Sequence, residues 1–303
     1  MSSVILLRFF VLDVNYDEKD ERSYYQQIFT SPTKIGAGFF GEVYKARNKH
    51  NNTIYAVKVF KKSIPTMFIH REVMNNEKVG VHPNCVRYFM AWTQFGEGYL
   101  CLEACQTSLT AFMKKYSVPQ NTLWDILMDI TKALKYLHGK NLVHLDVKAD
   151  NILVSGTHFK LGDFGTLFDR TTPDISQDEL AKNKPSRDIK DLGRMFTKLL
   201  SDVTWSSPTT ETAHYTPPRV SGTELMKYST TFRRLLERMI NFDETARPTA
   251  AEILELPELE KAVQKYENNL RNIYTPENLE DLETFVVPAP QSAESLPRCS
   301  KDL

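Results

Sequence analysis

Two short strings decide most of what this chain can be. Residues 144–151 read His-Leu-Asp-Val-Lys-Ala-Asp-Asn, and Asp163-Phe164-Gly165 begins twelve positions after Asn151. Together they place three carboxylates, an amide and a lysine in one short stretch. Phosphoryl transfer needs such a set. A carboxylate must orient a hydroxyl and accept its proton, which suits Asp146. An amide and a second carboxylate must hold Mg²⁺, which suits Asn151 and Asp163, and a cation must stand near the transferred phosphate, which suits Lys148. Any one of these alone would pass for a surface turn residue; their order carries the reading.

A second constellation lies upstream. Gly36-Ala37-Gly38-Phe39-Phe40-Gly41-Glu42-Val43 fits G-x-G-x-x-G-x-V. The glycines fall between two strand-like runs and not between a strand and a helix, which argues against a dinucleotide-binding turn. A glycine-rich hairpin can close over phosphates because no side chains hold its backbone N–H groups away. On the next strand, Tyr55-Ala56-Val57-Lys58 sets a lysine among apolar residues, where its ammonium needs anionic partners. Phosphates and a carboxylate would supply them, and spacing alone leaves Glu72 and Glu77 of the following helix as candidates.

The hydrophobic pattern changes along the chain. Val43–Ala46 and Ile54–Phe60 read as strands joined by a turn at Asn51-Asn52, and a helix is expected over about Thr66–Glu77. Beyond residue 106, helical stripes run over Leu123–His138, Asp188–Leu200 and Thr231–Ile240. The expected class is α+β: a small antiparallel sheet followed by a larger helical part, with a boundary near Cys105. Residues 1–23 read as an N-terminal extension and 263–303 as a tail, rich in Pro, Glu and Ser from about Pro276. The apolar stretch Val4–Leu12 is broken by Arg8, too short to span a membrane, and fits an edge strand.

Composition closes off other classes. The chain has 303 residues, 41% hydrophobic, with 38 Lys plus Arg balancing 38 Asp plus Glu. That is too apolar for a mostly disordered chain and too balanced for a nucleic-acid coat. Cysteines at 85, 101, 105 and 299 make no C-x-x-C pair, which suggests free thiols in a reducing compartment. The expectation is an intracellular protein, cytoplasmic and/or nuclear. Arg234-Leu235-Leu236 has the form of a docking Arg-x-Leu but lies on a helical stripe, which makes it core and helix surface.

Taken together, these strings resemble the eukaryotic protein kinases over about residues 24–260. Arg71-Glu72-Val73, Glu77-Lys78-Val79-Gly80, His82-Pro83 and Val86–Trp92 narrow the similarity to the Wee/Myt family. The nearer branch is that of the membrane-associated tyrosine- and threonine-specific inhibitory kinases of cyclin-dependent kinases. The resemblance implies a bilobal fold, with an N-lobe over 24–105 and a C-lobe over 106–262. It also implies use of ATP and Mg²⁺, and a cyclin-dependent kinase as protein partner. It favours Glu72 as the partner of Lys58 and makes Leu102 the residue guarding the back of the adenine pocket. Glu103 and Cys105 would offer backbone groups to adenine, with Ile35, Gly36, Gly38, Gly41, Val43 and Ala56 lining the rest of the nucleotide site.

The chain also departs from the pattern. Leu145 stands where many kinases carry an Arg that pairs with a phosphate on the activation segment, so activity is expected not to need that phosphate. Asp163 and Asp188 are only 25 positions apart, and no Ala-Pro-Glu follows the Asp-Phe-Gly. Arg247, which would pair with the Glu of that missing motif, must find other partners or be exposed. The missing stretch is also a platform for substrate. An interaction module that binds nucleotide without transferring phosphate is therefore the alternative to an active kinase.

Overall fold

The computed structural model describes residues 5–6, 12–116, 118, 120–200 and 228–259. The tail expected over 263–303 and Cys299 lie outside these residues. The N-lobe is a six-stranded antiparallel sheet in the order β1-β5-β6-β4-β3-β2. The strands are β1 (Ile5–Leu6), β2 (Phe29–Ala37), β3 (Gly41–Asn48), β4 (Ile54–Phe60), β5 (Tyr88–Gln94) and β6 (Glu97–Glu103). β1 pairs with β5 through Ile5–Thr93 and Leu6–Trp92, at the edge of the sheet. Asn52, in the expected turn, has a left-handed φ of 59°, a conformation that asparagine tolerates well.

Register sorts the side chains onto two faces. Val43 lies opposite Lys58, Ala56 opposite Leu102 and Lys58 opposite Leu100. Strand alternation puts all of these on one face and Val57, Tyr99 and Cys101 on the other. The second face is sealed by an aromatic core of Tyr24, Ile28, Phe29, Val57, Trp92 and Tyr99, with Leu12 and Tyr16 packed against it. The short helix α1 (Tyr24–Ile28) contributes to it and opens with a Ser23/Gln26 capping box. The first face is covered by α2 (Thr66–Val79), whose Ile69 and Val73 join Phe60, Ala91 and Leu100. α2 stops at Gly80, where φ is 72°, a positive value that glycine takes without a Cβ penalty.

The C-lobe is built around α4 (Gln120–Gly139). Its stripe of Leu123, Ile126, Leu127, Ile130, Leu134 and Leu137 is fully buried. Ile189, Leu192 and Phe196 of α6 (Pro185–Leu200) pack into the same core, as do Phe232, Leu235, Leu236 and Met239 of α7 (Thr230–Met239). The leucines of the Arg-x-Leu string are thus core residues. Between the lobes run β7 (Thr107–Ser108) and α3 (Leu109–Lys115), then β8 (Leu142–Val143), the hairpin β9 (Ile152–Ser155) and β10 (His158–Leu161), and β11 (Phe168–Asp169). β11 pairs with β8 and β7 with β9. The segment after β11 is short and folds on itself. α5 (Gln177–Lys182) is capped by Ser176 and Glu179, and Arg170 Nη1 donates to the carbonyls of Leu180 and Asn183 at 2.9 and 2.7 Å.

Candidate active site

β3, β4, α2 and the β8–β10 region converge on one cleft. On β4, Lys58 Nζ donates to both carboxylate oxygens of Glu72 at 2.6 and 2.7 Å, so of the two glutamates it is Glu72 that meets the lysine. Glu72 is buried. Burial pushes its carboxyl above the ordinary range, and the Lys58 ammonium opposes that rise. The rings of Phe60 and Phe40 lie 5.0 and 5.8 Å from the ammonium, a weaker favourable contact.

The glycine hairpin is anchored at its base. Gly38 N–H donates to the Gly41 carbonyl at 2.8 Å, and Lys61 N–H donates to the Phe40 carbonyl at 3.0 Å. A Cβ on Gly41 would sit 3.0 Å from the Val59 carbonyl carbon and deep inside van der Waals contact with its oxygen. Only glycine lets β3 approach β4 this closely. A Cβ on Gly38 would meet nothing within 4 Å, so the tip is open at that position. Ile35 is half exposed beside the hairpin. Gly36 lies opposite Val43 in the β2–β3 register.

At the crossing between lobes, the Glu103 backbone N–H donates to the Arg87 carbonyl at 2.8 Å and its carboxylate pairs with Lys160 at 2.6 Å. The side chain is therefore committed to β10. Burial pushes the Cys105 thiol up to about 12, which makes it an unreactive wall residue at neutral pH.

The two C-lobe strings come together as loops. Asn151 Nδ2 donates to both the carbonyl and Oδ2 of Asp146 at 2.9 Å, and Lys148 Nζ pairs with the same Oδ2 at 2.6 Å. Asp163 is exposed and takes a left-handed φ of 60°, with its Oδ1 3.4 Å from Gly165 N. The amide donors of Asn151 are thus spent on Asp146, which leaves the side-chain Oδ1 of Asn151 and the carboxylate of Asp163 as hard oxygen donors on two loops joined by the Gly162 N–H to Asn151 carbonyl hydrogen bond at 2.8 Å. That donor set fits Mg²⁺, and the glycine hairpin above Lys58 fits a polyphosphate.

His144 ties the two strings to each other. Its Nε2 lies 3.0 Å from the Gly162 carbonyl, its Nδ1 accepts from Asp146 N–H at 3.2 Å, and its ring meets Phe164 edge-on. Burial pushes its pKa down, consistent with a neutral ring that carries its proton on Nε2. Asp188, completely buried, accepts from the backbone N–H groups of His144 and Leu145, each at 2.9 Å, with His138 Nε2 also 2.9 Å away. Leu145 is thereby held at φ 66°.

Three groups here carry no motif of their own: Asp188, Asn75 and the Glu103–Lys160 pair. Asn75 Nδ2 donates to the Phe164 carbonyl at 2.8 Å. Asp188 is visible in sequence only as the start of a helical stripe, because its partners are backbone amides. Arg247 donates to the carbonyls of Asn241, Ser186 and Phe242 at 2.8, 3.2 and 3.2 Å, and the Glu244 carboxylate acts on its charge. Lys184 and Glu244 pair beside it. A separate cleft of about 700 Å³, lined in part by His82, Lys132, Lys135 and Lys140, shares no residue with this site.

A lysine–glutamate pair, a glycine hairpin, an Asp/Asn loop and an Asp-Phe-Gly turn are together the arrangement that the resemblance to the protein kinases leads one to expect. The family model described as protein kinase domain matches residues 29–179. The chain belongs to the protein kinase family, in its Wee/Myt branch. It is 30% identical over 275 residues to the membrane-associated tyrosine- and threonine-specific cdc2-inhibitory kinase of Drosophila melanogaster, covering 82% of this chain and 50% of that protein. Against the cdc2-inhibitory kinase wee-1.3 of Caenorhabditis elegans it is 29% identical, over 82% of this chain and 39% of the relative. The Wee1-like protein kinase of Arabidopsis thaliana is 32% identical, over 78% and 51%. The chain thus spans about half or less of the length of these relatives. Among the described residues, no helix is long and apolar enough to cross a membrane.

Proposed function

We propose that this chain transfers the γ-phosphate of ATP to a Thr or Tyr hydroxyl of a cyclin-dependent kinase. The observation that carries the reading is the paired Lys58–Glu72 facing an Asp146 already hydrogen-bonded to Asn151 and Lys148. Lys58, held by Glu72, would bind the phosphates. Asn151 and Asp163 would hold Mg²⁺, which supplies charge neutralisation along the triphosphate. Asp146 would orient the acceptor hydroxyl and take its proton as the new O–P bond forms and the bond to the leaving ADP breaks, while Lys148 offsets charge on the transferred group. Ile35, Val43, Ala56 and Leu102 would surround adenine, with backbone groups of Glu103 and Cys105 along its edge. The partner assignment follows from the relatives named cdc2-inhibitory, and peripheral membrane association is proposed on the same ground.

The short segment between Asp163 and Asp188 favours a second reading, a module that binds nucleotide and partners without transferring phosphate. A kinase lacking the usual peptide platform must recognise its target by contacts elsewhere. The test is γ-phosphate transfer by purified protein to a catalytically dead, cyclin-bound kinase and to peptides copied from its glycine-rich loop. The folded target should be better by at least about tenfold, roughly 1.4 kcal/mol of transition-state discrimination. Mg·ATP binding with transfer to neither would establish the second reading.

A further inference from the structure

We propose that Asn75 is a positioning residue that holds the Asp163-Phe164-Gly165 turn in place from α2, doing the work that a phosphorylated activation segment does elsewhere. The inference rests on the phosphotransfer reading above. Glu72, Asn75 and Lys78 follow one another at helical spacing, so α2 presents them along one face. All three act on the same region. Glu72 holds Lys58. Buried Asn75 donates from Nδ2 to the carbonyls of Phe164, Gly165 and Leu167 at 2.8, 3.4 and 3.5 Å. Lys78 pairs with Asp169 of β11 at 2.7 Å.

Three carbonyl oxygens surround one amide nitrogen, and only a donor group can face them; the orientation of the Asn75 side chain is fixed by chemistry. The strength of the tie matters because of what it restrains. Asp163 sits at φ 60° and ψ 76°, a region that a non-glycine residue leaves unless its surroundings hold it there. The usual external support is absent in this chain: Leu145 offers no charge to a phosphate, and the segment that would carry one is short. Thr166 adds a hydrogen bond to the His144 carbonyl at 3.0 Å. The turn is therefore held by uncharged donors from α2 and its own loop, with one ion pair at the end. Asp163 stays oriented only while α2 stays docked, which couples metal binding to the position of the helix that also carries Glu72.

The test is hydrogen exchange by mass spectrometry on the unliganded protein, with ATP affinity measured in the presence and absence of Mg²⁺. Asn75→Ala and the equal-sized but donor-free Asn75→Asp should each speed exchange over residues 163–170 by about tenfold, with α4 unchanged. Both should also lose most of the affinity that Mg²⁺ adds to ATP binding while keeping Mg²⁺-free binding. Asn75→Gln, which retains the amide, should restore part of both, a rescue that simple packing would not give. If the Asn75 variants fail to fold, Lys78→Met provides the same readout with a smaller effect of about two- to threefold. Unchanged exchange over 163–170, or acceleration spread evenly through the C-lobe, overturns the proposal. If wild-type protein binds no ATP, the phosphotransfer reading fails, and the exchange comparison still decides whether Asn75 holds the turn.

Discussion

Replacing Asp188 with alanine tests how the catalytic loop is built. The carboxylate is fully buried and takes the N–H groups of His144 and Leu145, with His138 Nε2 at equal distance. Hydrogen bonds to a charged acceptor contribute about 1.5–3 kcal/mol each, and the two buried amides would have no replacement partner. His138 can turn partly toward solvent, so it adds less. The expected loss is about 4 kcal/mol of C-lobe stability, read as a lower urea midpoint at unchanged slope. A second effect follows from Leu145, whose left-handed φ of 66° costs a branched residue about 1–3 kcal/mol and needs both neighbours pinned. Once Asp188 is gone, residue 145 relaxes toward the ordinary region and carries Asp146 with it. Phosphate transfer measured well below the unfolding midpoint should then fall by more than about a hundredfold, with Mg·ATP affinity reduced far less. Asp188→Asn keeps one acceptor oxygen and should fall between. An alanine variant within about 1 kcal/mol of wild type, with transfer reduced less than about tenfold, would refute the view that this one carboxylate sets the loop.

Other outcomes follow from the same geometry. Lys58→Met should abolish most of the thermal shift produced by Mg·ATP without unfolding the N-lobe, since a ligand of the folded state raises the melting temperature with the logarithm of its concentration over Kd. Asp146→Asn should leave Mg·ATP affinity nearly unchanged, whereas Asp163→Asn should lose its Mg²⁺-dependent part; equal losses would mean that the two carboxylate roles are misassigned. Asp125 is pushed by burial, and then by neighbouring Asp129, from 3.8 up to about 7. Its folded form holds a proton that the unfolded chain releases, so stability should decline as pH rises from about 4 to about 7. Asp125→Asn should remove that decline and be more stable than wild type at about pH 8 by roughly 1 kcal/mol; a wild-type protein with flat stability across this range would count against it.

What could be read from the residues alone divides along a physical line. Strand and helix positions with strong periodicity fall where expected: Ile54–Phe60 is β4, Leu123–His138 lies inside α4, and Asp188–Leu200 inside α6. Groups recognised by a charged or glycine motif come together in one cleft, with Lys58 on Glu72 and Asp146 on Asn151. The short helices α1 and α5 have too few residues for periodicity to register. Their capping boxes, Ser23 with Gln26 and Ser176 with Glu179, were the available signal. The partners of Asp188, Asn75 and Arg247 were hidden for a different reason. Each of these residues works on backbone amides or carbonyls, which every residue possesses, so no pattern of side chains reveals the partner until the chain is folded. The edge strand expected over Val4–Leu12 is present, among the described residues, as Ile5–Leu6, which joins β5 at the edge of the sheet.

The three glycines of the hairpin, alike in the motif, are unequal under mutation. At Gly38 a side chain would project into open space, and its effect would be confined to the tip. At Gly41 any side chain must separate β3 from β4, because the obstacle is the Val59 backbone and not a movable side chain. Two residues along the same ladder, Val43 faces Lys58, so the displacement would propagate to the lysine and to its grip on Glu72. A saturation scan would record Gly38 as tunable and Gly41 as invariant. In this hairpin, tolerance to substitution marks how far a position stands from the spacing of the sheet.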